Sequence, residues 1–273
     1  MSQAVLTWWE GHRRDLPWRR TRDPWAVLVS ELMLQQTQVP RVLPRYEAFM
    51  DRFPTPAACA AAPAGEVVRA WAGLGYNRRA VNLHRAATAI VELHGGRLPA
   101  DLDALLALPG IGPYTARAIL AFAFEADVGV LDVNAIRVLA RAWGRRTQGE
   151  ADDVVPPGNG WAWNQAVLDL GATVCVKRAP RCDRCPILDE CQWHASGRAE
   201  PDPAGPGSRQ STFAGSDRQG RGRLVDALRL GPVDLGALAG VMGWPDDQGR
   251  AATVAATLVA DGLATFDGAS YRL

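Results

Sequence analysis

Four of the chain's five cysteines fall inside CVKRAPRCDRCPILDEC, residues 175–191, at Cys175, Cys182, Cys185 and Cys191. An even count of cysteines at close spacing can mean a disulfide framework in a secreted protein. The opening MSQAVLTWWEGHRRDLPW carries no apolar signal core and no small-residue cleavage site, so a reducing cytoplasm is the expected home, and there clustered thiols bind metal. Zinc sites favour two CxxC-like pairs separated by a longer loop. Here one CxxC lies between two single cysteines, a set in which each thiolate can hold one iron of a cubane cluster. The spacing therefore favours an iron-sulfur cluster over zinc, and four free thiols in an exposed loop would be an oxidation liability. Cys59, alone in PAACAAAP, reads as a small buried side chain.

Two carboxylates are placed for chemistry. Glu31 interrupts the apolar run AVLVSELML, where a charge is costly unless paired or protonated; a solvated helix face is the alternative, weakened by apolar neighbours on both sides. Asp132 and Asn134 open LDVNAIRVLAR at the start of an apolar-periodic helix, where Asp132 could be only an N-cap. Between the carboxylates lies LPGIGPYTARAI, residues 108–119. Gly110 and Gly112 permit a tight turn with positive backbone angles, and Pro113 suits the first turn of the next helix. Such a turn exposes N–H groups at a helix N-terminus and can bind a phosphate, although an ordinary helix-helix connection explains the glycines about as well.

The elements that must hold these residues are helical. Apolar positions recur at spacings of three and four through residue 197, punctuated by Gly and Pro, and alternating strand patterns are missing. Residues 198–217 are rich in Pro, Gly and Ser and read as a linker. Beyond it, RLVDALRL, VDLGALAGVMG and GRAATVAATLVADG suggest three short helices, and LATFDGASYRL a hairpin turning near Asp267 and Gly268. That order suggests a winged-helix-like module over 218–273, expected to fold apart from the rest. With 273 residues and 48% hydrophobic content, the chain can bury a substantial core, and no apolar run approaches the roughly 18 residues of a membrane span. The net charge is only +1, but residues 1–100 carry 13 arginines against 8 acids while residues 201–273 carry 7 against 8. An anionic partner therefore belongs on the first two-thirds. Lys177 is the single lysine, so charge contacts fall to arginine, which suits phosphates.

The hairpin LPGIGPYTARAI, the downstream Asp132 and the four-cysteine loop together resemble the helix-hairpin-helix superfamily of base-excision DNA glycosylases, in the branch that carries a 4Fe-4S cluster. DLPWR at 15–19, SELMLQQTQVPRV at 30–42, GLGYNRRAVNLH at 73–84 and WNQAVLDLGATVC at 163–175 are similar to MutY-type adenine DNA glycosylases, over about residues 1–197. The resemblance implies a mainly α helix-hairpin-helix glycosylase fold, with an iron-sulfur cluster domain from 1–22 and 132–197, a six-helix domain over 23–131, the 198–217 linker and the 218–273 module. It implies that Glu31 protonates adenine at N7, that Asp132 stabilises the sugar cation with Asn134 in support, and that Gln36 and Tyr76 wedge into the base stack. Gly110, Gly112, Arg178, Arg181 and Arg184 would contact phosphates. Tyr114 stands where bifunctional relatives place a Schiff-base lysine, which implies a monofunctional enzyme. The expected partner of this monomeric, nucleoid-associated protein is double-stranded DNA with mismatched or oxidised base pairs, adenine opposite 8-oxoguanine or guanine. Asn77 departs from the second tyrosine often found in that motif, Val133 from the usual glycine or threonine, and residues 218–273 are too few for the Nudix-like domain of typical members. A G:T thymine glycosylase of the same superfamily and a non-catalytic iron-sulfur DNA-binding protein are the alternatives.

Overall fold

The computed structural model describes residues 2–198, 201–205 and 212–273. The helices follow from the apolar spacing and its punctuation. Val133–Trp143 buries Ala135, Val138, Leu139 and Ala142, a three-and-four stripe, and ends on Gly144 at φ +68°. Arg78–His94 likewise buries Val81, Leu83, Ala86, Ala87 and Ile90 and ends on Gly95 at φ +59°. No described helix is long and apolar enough to cross a membrane.

Two compact units divide the chain: Met1–Val27, Ala100–Leu106 and Gly112–Arg209 form the first, and Leu28–Pro99, Ala107–Ile111 and Gln210–Leu273 the second. These cuts differ from the boundaries expected from the sequence. The helix Pro113–Ala123 groups with the first unit, and the C-terminal module groups with residues 28–99.

In the first unit, Ser2–His12, Val133–Trp143 and Gly160–Thr173 pack around Val5, Trp9, Leu139, Trp163, Val167 and Leu170. Asp169 lies at the heart of this packing, fully buried. It accepts from Trp9 Nε1 at 2.9 Å, from Arg19 Nη1 and Nη2 at 2.7 and 2.9 Å, and from Arg14. The DLPWR and WNQAVLDLG motifs thus meet in a buried ion pair. Burial alone would raise the Asp169 carboxyl, but the Arg19 and Arg14 guanidiniums hold it below the ordinary carboxylate value. Of the expected linker, residues 199–200 and 206–211 lie outside the described residues; Asp202 is bound to Arg141, and Ser216 caps the next helix by accepting from Gln219 N.

In the second unit, helices Val39–Arg52, Pro56–Ala61, Ala64–Ala70 and Arg78–His94 enclose Phe49, Trp71, Leu83 and Ile90. Cys59 is fully buried there, and burial pushes its thiol up to about 12. The C-terminal module has helices Asp217–Leu230, Leu238–Met242 and Gln248–Ala260 and a small antiparallel sheet. Its strands β1 (Val233–Asp234), β2 (Thr265–Phe266) and β3 (Ser270–Arg272) lie in the order β1-β3-β2, with Val233 and Phe266 both opposite Tyr271. The β2-β3 turn falls where expected: Asp267 Oδ1 accepts from Ala269 N and Ser270 N, and Gly268 supplies φ +97°. Three helices and a hairpin-centred sheet make this a winged-helix-like module, with Leu224, Leu228, Leu238, Met242, Leu258 and Tyr271 at its core.

Candidate active site

Asp132 is the N-cap of Val133–Trp143. Its Oδ1 accepts from the backbone N–H groups of Asn134 and Ala135, both at 2.7 Å, and its Oδ2 from Asn134 Nδ2 at 2.9 Å. The cap does not bury the group: Asp132 remains half-exposed, and the adjoining Val133 is 75% exposed. Asn134 Oδ1 accepts in turn from Arg137 Nη2 at 2.8 Å, and Arg137 also donates to the carbonyls of Gly171 and Cys175. A continuous polar run therefore joins Asp132 to the backbone of the first loop cysteine. Gly171 is required by that approach, since a Cβ there would lie 2.8 Å from Asn134 Cβ.

Glu31 sits on helix Pro24–Leu34 with Leu28, Val29, Leu32 and Met33, all buried, and is itself only 6% exposed. The solvated-face alternative is thereby removed. A carboxyl so placed suits proton donation, and a capped, preoriented carboxylate such as Asp132 suits stabilising positive charge. Glu31 belongs to the second compact unit and Asp132 to the first.

The 108–119 stretch forms a turn and a helix, with Ile111 N donating to Leu108 O at 3.2 Å. Gly110 takes φ +77°, and a Cβ there would lie 2.5 Å from Asn82 Cβ. Gly112 differs from expectation: as N-cap of Pro113–Ala123 it is extended, at φ −96° and ψ 177°, so only Gly110 needs the positive angle. Tyr114 is half-buried in the first turn of that helix.

Gln36 and Tyr76 are both exposed, and both hold positive φ, 55° and 45°. That conformation costs an ordinary residue about 1–2 kcal/mol, so something must hold it. Buried Arg79 does. Its guanidinium donates to the carbonyls of Leu32 and Met33 at the end of helix Pro24–Leu34, to the Gln35 carbonyl and Thr37 Oγ1 in the loop that follows, and to the carbonyls of Leu74, Gly75 and Tyr76 on the other loop. Burial pulls its pKa down to about 10, which still leaves it charged at neutral pH. Beside the two loops is a cleft of about 580 Å³, bordered by Gln36, Tyr76 and Arg78, by Phe213 of the 198–217 segment, and by Arg218 and Arg221 of the C-terminal module.

Each of the four loop cysteines is half-buried. Cys175, Cys182 and Cys191 are all near enough to Cys185 to act on its charge, and burial pushes the Cys185 thiol up to about 11. Arg141 Nη1 lies 3.6 Å from Cys175 Sγ, and Cys191 Sγ lies 3.4 Å from the Arg141 carbonyl. Among the described residues, no group of three or more His, Cys, Asp or Glu side chains is placed to hold one metal ion. The chemistry of the donor set, four neighbouring thiols with a guanidinium to offset negative charge, fits a larger thiolate-bound group whose binding must release the thiol protons. Arg178, Arg181 and Arg184 are exposed on the same loop.

Residues 29–155 match the family described as HhH-GPD superfamily base excision DNA repair protein. The chain is 44% identical to adenine DNA glycosylase of Mycolicibacterium smegmatis over an alignment 283 positions long, gaps included, that covers 97% of this chain and 93% of that protein. It belongs to the adenine DNA glycosylase family. Homo sapiens adenine DNA glycosylase is 40% identical over 209 residues, 69% of this chain and 38% of the human protein. Among solved structures, a thermostable thymine-DNA glycosylase aligns with TM-score 0.68 and 30% identity, over 71% of this chain and 95% of that one. A trapped endonuclease III-DNA covalent intermediate has the same fold, with TM-score 0.63 and 21% identity over 72% of this chain and 95% of that one. The chain is thus a DNA glycosylase of the base-excision repair class.

Three side chains that organise the site carried no functional reading in the sequence. Arg79 stands inside GLGYNRRAVNLH, Arg137 three residues after Asn134, and Arg141 a further turn on. The available signal was an arginine on the buried stripe of a helix, where a charge needs a partner.

Proposed function

We propose that this enzyme removes adenine mispaired with 8-oxoguanine or guanine from double-stranded DNA, as a monofunctional glycosylase acting as a monomer on nucleoid DNA in the cytoplasm. The observation that carries the reading is the pair of carboxyls in contrasting settings: Glu31 buried among apolar side chains, Asp132 capped and half-exposed. Such a contrast separates a group suited to donating a proton from one oriented to meet positive charge.

The target base must leave the stack before it can react. Gln36 and Tyr76, exposed and held in left-handed conformations, enter the gap it leaves. Glu31 gives its proton to adenine N7, the C1′–N9 bond breaks with its electron pair going to the base, and positive charge grows on the sugar. Asp132, its oxygens oriented by Asn134 and the helix amides, meets that charge and bonds to C1′, as in retaining sugar hydrolases, until water displaces it. A phenol cannot form an imine, so Tyr114 supports base release without strand cleavage. Backbone N–H groups around Gly110 and Gly112, with Arg178, Arg181 and Arg184, hold the phosphates. Cys175, Cys182, Cys185 and Cys191 would hold a 4Fe-4S cluster, which when bound fastens this loop. Arg141 is placed to offset its charge.

The likeness to a thymine-DNA glycosylase at 30% identity favours T opposite G as the second reading. Glu31→Gln keeps the size and removes the acid, so duplex binding should persist while single-turnover adenine release falls by about 100-fold or more. Near-normal release by the variant would sink the assignment.

A further inference from the structure

We infer that Arg229 is a positioning residue through which the C-terminal module sets the posture of the Tyr76 loop, acting by way of Asn77 and alike on whatever base lies opposite the adenine. The inference rests on the proposed wedge role of Tyr76.

Arg229 lies on Asp217–Leu230 with its side chain only 10% exposed. Each of its three nitrogens has a partner. Nη1 pairs with Asp226 on its own helix, Nε donates to the Val68 carbonyl at 3.2 Å, and Nη2 donates to Asn77 Oδ1 at 2.8 Å. Asn77 immediately follows Tyr76, and although it stands at the N-cap of Arg78–His94 its side chain makes no capping bond there. The amide oxygen that would ordinarily cap its own helix is given to the module instead. Asn77 is also the position where this chain departs from the family's second tyrosine, and an amide offers Arg229 a short, rigid acceptor beside the backbone. Tyr76 is therefore held from two sides: Arg79 binds the carbonyls of Leu74, Gly75 and Tyr76 itself, and Arg229 fixes the next residue.

The module is seated for this role. Gly262, at φ +75°, lies against Arg85 and Val81 of helix Arg78–His94 so closely that a Cβ would come 2.6 Å from Arg85 Nη2. Asp261 pairs with Arg221 at 2.6 Å and faces Arg78 at 3.6 Å, and its carbonyl lies 3.4 Å from Arg85. With its arginines matched by acids, the module has little charge to offer a phosphate backbone, whereas a buried guanidinium bridging to the Tyr76 loop transmits position.

The test uses the full chain, with Asn77→Ala, Arg229→Met, Arg229→Lys and the Asn77→Ala/Arg229→Met double variant. Single-turnover adenine release is followed on A:8-oxoguanine and A:G duplexes, and base extrusion by 2-aminopurine placed beside the target adenine. Asn77→Ala leaves Arg229 its bonds to Val68 and Asp226, so it reports on the loop even where Arg229→Met melts early. The expected result is a roughly ten-fold loss in extrusion and release, the size of one hydrogen bond to a charged group. The factor should be the same on both duplexes, with duplex affinity within about two-fold. The double variant should be no worse than the worse single one, and Arg229→Lys should recover part of the rate. Additive losses, or wild-type extrusion in Asn77→Ala, would overturn the inference, as would a changed ratio between the two duplexes, which would make the module a reader of the opposite base. Failure of the wild type to release adenine would instead refute the function on which the inference rests.

Discussion

Asp132→Asn separates what the residue does for the helix from what it does for the reaction. The variant keeps an oxygen at the Oδ1 position, where Asn134 N and Ala135 N donate at 2.7 Å, and asparagine caps a helix about as well as aspartate. The bond at Oδ2 is lost. A new Nδ2 would face Asn134 Nδ2, donor against donor, and Asn134 cannot turn over without giving up its bond from Arg137 at 2.8 Å. One charge-assisted hydrogen bond is therefore removed without a cavity, a cost of about 1.5–3 kcal/mol. For a protein of this size that is a fall in Tm of roughly 3–10 °C. The chemical loss is larger. An amide offers neither a negative charge nor a nucleophile, and removing a group that acts in the bond-breaking step costs on the order of 10³-fold or more. Thermal melting and single-turnover base release on one preparation give both numbers. A variant with full activity would refute the role of Asp132, and one that lost activity only in proportion to its unfolded fraction would make the residue a cap alone.

Asp169→Asn should destabilise the first unit by about 3–5 kcal/mol, because Arg14, Arg19 and Trp9 lose a buried anion. The folded Asp169 pKa is depressed, so its contribution is complete above the unfolded value of about 3.9 and fades as pH falls through the lower folded value; the melting difference between wild type and variant should therefore shrink in acid, and a constant difference would show that the ion pair is not its source. Cys185→Ala should lower iron from about four atoms per chain and remove the broad visible absorption before it affects melting of the rest; stoichiometric zinc without iron in anaerobically prepared wild type would contradict the cluster. Tyr114→Lys should increase borohydride trapping on DNA relative to wild type, and no gain would mean that residue 114 does not face the sugar.

Chemistry that depends on residue type was readable in the sequence, and chemistry that depends on long-range geometry was not. The cysteine spacing, a carboxyl inside AVLVSELML and an aspartate at a helix start each state their problem locally, and the structure finds Glu31 buried and Asp132 capping. The C-terminal module was readable because its helices keep an apolar period and Asp267-Gly268 can only turn. Arg79, Arg137 and Arg229 were not readable. Most of their acceptors are backbone carbonyls, which every residue carries, so nothing at the receiving end marks the bond. Nothing local marks Asp169 as the centre of an ion pair, since its partner Trp9 stands 160 residues away. The module's attachment was missed for a similar reason: its contacts include backbone carbonyls, those of Val68 and Asp261, a single amide, Asn77, and a glycine, Gly262, whose use is the close approach it permits.

Adenine as the released base is the claim on which the roles of Glu31 and Asp132 depend. Single-turnover incubation of the cluster-loaded protein with duplexes containing A opposite 8-oxoguanine, A opposite G and T opposite G, with the free base identified by chromatography, puts the claim to test. The expected result is free adenine from the first two duplexes, an abasic strand that stays uncleaved until treated with alkali, and no thymine from the third. Thymine from the T:G duplex with adenine retained in the other two would contradict it.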